Sequence, residues 1–380
     1  MNHALRTTHF PAFVALLVAT ASLAHGGVRL ERVPESGVQP QTATSADGAV
    51  HLVYLKGDPK SCDVRYVRRT NATGEWSVPV TVNDESGSAI AIGTIRGAQI
   101  AIGKNNSVHV AWNGPARKTA GGMASSLFYS RLEINKKAFE PQRDLLSGTK
   151  NLDGGASIAA NTSGGVFIVW HAAAPNAEAG ELNRKVFVLR SADNGASFAP
   201  LKAANEDFSG VCACCSLKAF TTSSGELLTL YRAARSITQR DITLLSSPDV
   251  GETFSHETLH PWAIGACPMS SAALVSVGRE IRAAWETDGK IFSSTLGITF
   301  APREVSEGKA RHPSLAVNSL GDTLVTWSVG TGWQKGGALA WCVLDAAGQP
   351  TPEKGKANEV PVWSHTAAYS TPENDFVILH

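Results

Sequence analysis

A short apolar stretch closing on an aromatic residue recurs along the whole chain, and no other feature limits the possible folds as strongly. The copies are Val50-His-Leu-Val-Tyr54, Val108-His-Val-Ala-Trp112, Val166-Phe-Ile-Val-Trp170, Leu227-Leu-Thr-Leu-Tyr231, Ile281-Arg-Ala-Ala-Trp285 and Thr323-Leu-Val-Thr-Trp327. A further copy, Asp375-Phe-Val-Ile-Leu379, lacks the aromatic. Each follows a Gly or acidic turn, and the spacing of roughly 42–61 residues is that of propeller blades or a comparable repeat array.

A strand precedes each copy, as at Ala98-Gln-Ile-Ala101, Ser157-Ile-Ala-Ala160, Ser271-Ala-Ala-Leu274 and Ser314-Leu-Ala-Val317. Two more follow each of the aromatic copies, for example Lys185-Val-Phe-Val-Leu-Arg190 and then Phe198 to Leu201. Four antiparallel strands make one propeller blade. Helical periodicity is scarce, and residues 113–125 and 172–184, rich in Ala, Gly and polar side chains, read as loops. The expected fold is therefore all-β, a β-propeller of four-stranded antiparallel blades, six or seven in number, with the direct count favouring seven. The last strand pair, near residues 364–379, needs an N-terminal strand such as Val28 to Val33 to complete it, which would close the ring and remove its open edge.

The N-terminus has the form of a signal peptide: Arg6, an apolar run from Phe13 to Ala21, and Ser22-Leu23-Ala24 around a cleavage point. Residues 1–24 are expected to be removed and 25–380 to form the propeller, exported to a periplasmic or extracellular location without stable membrane insertion. Lys and Arg total 34 against 33 Asp and Glu, a balance that argues against a nucleic-acid partner, which would need a basic face. Six cysteines in an exported chain permit disulfides. Sequons at Asn71, Asn105 and Asn161 matter only in a host that glycosylates.

Two turns carry a sharper pattern. Ser191-Ala-Asp193-Asn-Gly195-Ala-Ser-Phe198 and Ser247-Pro-Asp249-Val-Gly251-Glu-Thr-Phe254 share Ser-x-Asp-x-Gly-x-x-Phe. The Asp accepts backbone N–H groups in the turn, Gly takes the left-handed conformation, and the aromatic plugs the blade core. Degenerate copies occur at Ser293-Ser-Thr295-Leu-Gly297-Ile-Thr-Phe300 and around Asn71, Gly74 and Trp76. In these turns the chain resembles the Asp-box (BNR) repeats of sialidase-like propellers. The resemblance implies a propeller with the boxes on the face away from the active site, and in sialidases six blades.

Strand direction turns the repeat into a map of faces. Residues before the innermost strands and just after the aromatic residues converge on one mouth. That set holds Arg96, His171, Arg232, Arg240, Asp241, Glu286, Arg311, His312 and His365. It also holds Cys212, Cys214, Cys215 and Cys267, which precede the inner strands of two successive blades and are expected to be neighbours. They offer a disulfide from Cys267 to Cys214 or Cys215, a soft-metal site for copper or zinc with Met269 adding a thioether, or a reactive thiol. The tidy Cys-x-x-Cys pairs of a structural zinc site are lacking, and no His lies in either motif. Cys62 and Cys342 fall in strand segments and read as buried thiols or a pair. The run Cys-x-Cys-Cys, Tyr231-Arg232, Arg240-Asp241-Ile242 and Trp262-x-Ile264-x-x-Cys267-Pro268 also looks like an exported bacterial branch of Asp-box propellers.

A sialidase needs three arginines for the sugar carboxylate, a Tyr nucleophile paired with a Glu, and an acidic proton donor. Arg96, Arg232 and Arg311 are the available clamp, with Glu286 and Asp241 as acids. An Arg-Ile-Pro motif near the N-terminus is absent, Tyr231 fits the core position of the repeat, and Tyr369 lies along its strand. The sequence thus points to an exported propeller binding a glycan, peptide or protein ligand at its mouth through Arg96, His171, Arg232, Arg240, Arg311 and His312. The alternatives are a metal or thiol-redox protein centred on the four cysteines, and a glycoside hydrolase of the sialidase-like type using Asp241 and Glu286.

Overall fold

The computed structural model describes residues 26–70, 74–119, 122–133, 135–205, 208–297 and 300–380. The signal-peptide assignment and Asn71 therefore lie outside the described residues. Strands Val38–Thr44, Gln99–Ile102, Ser157–Ala160, Lys218–Thr221, Ala272–Val277, Ala310–Val317 and Ala367–Ser370 each pair antiparallel with the repeat stretch that follows. These are the innermost strands, and each contacts that of the next sheet, the last contacting the first. The result is a closed ring of seven blades, six of them built from four antiparallel strands; the fourth also carries the short strand Gly210–Val211.

The seventh blade holds Ala367–Ser370 and Phe376–Leu379 and is completed by Val28–Glu31 from the other end of the chain. That closing strand runs parallel to its neighbour, Val28 opposite Phe376 and Glu31 opposite Leu379. Glu31 then fixes blade one to the seam: it accepts from Arg69 Nη2 at 2.6 Å and from Trp76 Nε1 at 2.7 Å. The Arg69 guanidinium lies over the Trp76 ring at 4.0 Å and also reaches the Tyr369 hydroxyl.

The core is not one volume but seven apolar clusters, each between neighbouring blades. The second strand of each blade is consequently covered on both faces, which is why Val166–Ala173 and Leu227–Ala234 are buried at every position. Tyr54, Trp112, Trp170, Tyr231 and Trp285 are all at most 1% exposed and fill the space between blades. Of residues 113–125, expected to be a loop, the described ones instead extend the hairpin of Val108–Thr119 and Gly122–Leu132. The register slips between Gly114 and Arg117, where Pro115 cannot donate to the ladder. In residues 172–184 the strand runs on to Ala173 and a 3-10 turn forms at Glu181–Asn183, so the loop is shorter than expected.

Both Ser-x-Asp-x-Gly-x-x-Phe turns join the third and fourth strands, opposite the mouth. Asp193 accepts from the Ser197 amide at 2.9 Å and its hydroxyl at 2.6 Å, and Asp249 does the same with Thr253 at 2.8 and 2.6 Å. These hydrogen bonds hold both carboxyls well below the usual range. Gly251 has φ +85°, and a Cβ there would meet Phe167 no closer than 3.7 Å. Space is available but the conformation is not. Gly251→Ala is expected to cost about 1–2 kcal/mol in urea unfolding, the penalty of a left-handed L-residue, with no change in thiol reactivity at the mouth.

Candidate functional site

The cysteine segments reach the mouth because each leads into the innermost strand of its blade, the fourth at Lys218 and the fifth at Ala272. Cys214 and Cys267 form a disulfide joining these blades, with Cα atoms 6.3 Å apart. Cys212 and Cys215 are free and 1% exposed. The sulfurs of Cys212, Cys214 and Cys215 lie within 4.8 Å of one another. Cys212 Sγ is 3.4 Å from Cys215 Sγ and 3.7 Å from Cys214 Sγ. Cys267 itself is exposed, and Met269 follows it with left-handed backbone at φ 50°.

The two free thiols are not equivalent. Burial opposes a thiolate at Cys215, but the hydrogen bond with Cys212, the Arg232 charge and the Ser270 hydroxyl and amide together outweigh it and lower its pKa. The Ser270 amide donates to its sulfur at 3.4 Å. Cys212, hydrogen-bonded to Cys215 and desolvated, is pushed up. Cys62 and Cys342 lie in the strands Ser61–Arg69 and Gly337–Leu344 of different blades. They are free rather than paired, and burial raises both thiols to about 12.

Arg232 anchors this floor. It is 1% exposed and donates to Ser270 Oγ at 2.9 Å, to the Arg240 carbonyl at 2.7 Å and to the Glu286 carbonyl, with the Trp262 ring 4.7 Å away. Arg240 donates to the Ser236 carbonyl and pairs with Glu181. Arg240 and Asp241, adjacent in sequence, therefore do not pair with each other. Asp241 accepts from the Trp262 amide at 3.0 Å and lies 3.6 Å from Arg235. Arg96 pairs with Asp153.

His171 donates from Nε2 to the Cys215 carbonyl at 2.7 Å while Arg184 approaches its Nδ1 at 3.1 Å. Burial and the Arg184 charge keep it neutral, lowered to about 3, so it positions the cysteine segment. Glu286 is 1% exposed; its Oε1 is 3.9 Å from Arg311 Nε and its Oε2 has no partner. Burial raises this carboxyl to about 8 against the pull of Arg311 and Arg232, leaving it protonated at neutral pH. His312 and His365 stand apart, at the axis, with rings 6.3 Å apart.

Sequence reasoning missed Glu181. Besides pairing with Arg240 it accepts from the Ala213 amide at 2.6 Å, so it ties the blade-three loop to the cysteine turn. A single acid in an Ala- and Gly-rich segment carries no pattern that marks it. The phenols of Tyr231 and Tyr369 are both pushed to about 12 by burial; the first is bonded to Ser209 at 2.8 Å and the second belongs to the ring seam.

Ring and mouth together define an all-β, seven-bladed propeller with a sulfur-rich centre at one end of its axis. No family model and no curated protein matches the sequence. Solved structures match in fold. An α-L-arabinanase from Penicillium chrysogenum, complexed with arabinobiose, has a TM-score of 0.54 at 11% identity, over 83% of this chain and 95% of that one. The Trypanosoma rangeli sialidase in complex with the inhibitor DANA also has a TM-score of 0.54, at 13% identity over 80% of this chain and 54% of that one. The Hadza microbial sialidase Hz136 has a TM-score of 0.52 at 14% identity, over 77% and 63%. The chain thus spans less than two thirds of these two sialidases. At such identities the likeness shows the fold alone.

Proposed function

We propose that the protein is an exported propeller whose mouth performs thiol–disulfide exchange on a peptide or protein ligand. The observation that carries this reading is the placement of two free sulfurs, one of them 3.7 Å from Cys214, beside a disulfide whose other end, Cys267, is exposed. In the minor form of the pair, with the shared proton on Cys215, the Cys212 thiolate attacks Cys214 Sγ 3.7 Å away. The Cys212–Cys214 bond forms, the Cys214–Cys267 bond breaks, and Cys267 leaves as a thiolate at the surface. That thiolate attacks a ligand disulfide, giving a mixed disulfide and releasing a ligand thiolate. Electrons balance without an external oxidant.

A sialidase-type hydrolase is the weaker reading, because two arginines of the expected clamp, Arg96 and Arg232, already hold Asp153 and buried backbone carbonyls, and Arg311 faces Glu286 at 3.9 Å. A carboxylate clamp requires free guanidinium forks. Glutathione disulfide is the probe for the exchange reading, followed by rapid alkylation and peptide mapping. The wild type is expected to yield both Cys214–Cys267 and Cys212–Cys214 linkages and a glutathione adduct on Cys267; Cys212→Ser is expected to lose the second linkage and most of the adduct. An unmixed Cys214–Cys267 linkage with no adduct would sink the idea. Stoichiometric copper or zinc on the reduced protein, lost in Cys212→Ser, would replace it with a soft-metal site.

A further inference from the structure

The axis of the ring is a channel in two sections. The mouth-side section has a volume of about 120 Å³ and receives side chains from every blade, among them Gln41, Gln99, Ser271, His312, His365 and Thr366. The opposite section is larger, about 680 Å³. Thr42, Lys218, Leu274 and Leu315 line both and mark the level where they meet. Among the described residues, Lys218 is the only Lys, Arg, Asp or Glu on either wall.

Lys218 forms no hydrogen bond or ion pair among the described residues, and desolvation alone lowers its ammonium to about 8. Arg96, Arg184, Arg232 and Arg240 near the mouth floor each donate to an acceptor; Lys218 donates to none among the described residues. Lys218 is partly exposed to the channel, and a cation there without a counter-charge draws in an anion. The wall around it is rich in donors and free of carboxylates. His312 is held neutral by burial, with its Nδ1 3.2 Å from Ser271 Oγ. His365 is neutral for the same reason; its Nε2 faces Gln41 at 3.2 Å and its Nδ1 has no partner.

We infer that the axial channel binds a small monovalent anion against the Lys218 ammonium, with donors supplied by the amide, hydroxyl and imidazole groups of the mouth-side wall. The size of that section excludes a sugar acid and suits a halide or a one- or two-carbon carboxylate. This site is separate from the cysteine centre, and its occupancy does not depend on the exchange reaction.

Bromide is the probe, compared with gluconate at equal ionic strength because gluconate is too large for the mouth-side section. Melting temperature is expected to rise on exchange into bromide, and the rise to vanish in Lys218→Met, which keeps the stem and removes the charge. Crystals grown in bromide are expected to show an anomalous peak inside the channel in the wild type and none in the variant. Lys218→Gln serves as a second neutral variant should the methionine protein fail to fold. An equal bromide response in either neutral variant, or peaks confined to the outer surface, would mean an adventitious ion only and overturn the inference.

Discussion

Arg232→Met is expected to lower the unfolding free energy by about 3–5 kcal/mol, the range for breaking a buried charged pair by removing one partner. Methionine fills much of the volume but returns none of the hydrogen bonds. The carbonyls of Arg240 and Glu286 and the Ser270 hydroxyl each lose a donor in a buried setting. Cys215 loses its nearby positive charge, so its thiolate becomes less favourable. Urea unfolding measures the first effect; a pH titration of thiolate ultraviolet absorbance measures the second, as an upward move of the lower thiol transition. Combining Arg232→Met with Cys215→Ser separates the two, because residues in contact do not add: the double variant should be less destabilised than the sum of the singles. A strictly additive pair, with an unmoved thiol transition, would show that Arg232 only fills space.

That coupling also explains why the mouth was only partly legible in the sequence. Cys212, Cys214, Cys215 and Cys267 could be brought together because both segments precede innermost strands, and blade geometry then fixes their side of the ring. Which cysteine bonds to Cys267 depends on side-chain directions in a turn, where no periodicity operates. Arg232 follows an aromatic core residue at the end of its strand, but its partners are two carbonyls and the Ser270 hydroxyl, which leave no mark in a sequence. Lys218 and Glu181 went unnoticed for a related reason. Each is one charged residue in a segment with no spacing rule, and each takes its meaning from blades more than thirty residues away.

The fold was more legible because it repeats. Seven copies of one strand pair average out the error at any single boundary, and the aromatic residues mark where neighbouring blades must be filled. The failure at residues 113–125 has a physical origin. The two strands of blade two are long, with few apolar residues in the described part beyond Trp112, and Gly114 and Pro115 mark a register shift rather than an end. The closing strand had the opposite advantage: Val28–Glu31 is the only strand in the described chain that precedes the innermost strand of blade one, Val38–Thr44, so the incomplete last blade had one candidate to complete it.

Glu286→Gln is expected to stabilise the protein at pH 8 and leave it nearly unchanged at pH 4.5. In the folded state this carboxyl keeps its proton up to about pH 8, whereas the unfolded value is near 4.5. Between those limits the folded chain binds the extra proton, so stability falls as pH rises; the contribution is intact below the unfolded value and lost as pH passes the folded one. Glutamine keeps the shape of the protonated acid and cannot ionise. The difference between variant and wild type should therefore grow through that window to roughly 2–4 kcal/mol, after allowing for relaxation around the ion. Cys215 titrates in both proteins, so to first order its contribution cancels. Urea unfolding at several pH values across the window tests this directly. Parallel profiles would mean that Arg311, 3.9 Å from Oε1, already holds Glu286 as a carboxylate at neutral pH, and the cysteine centre would then border an anion rather than a neutral acid.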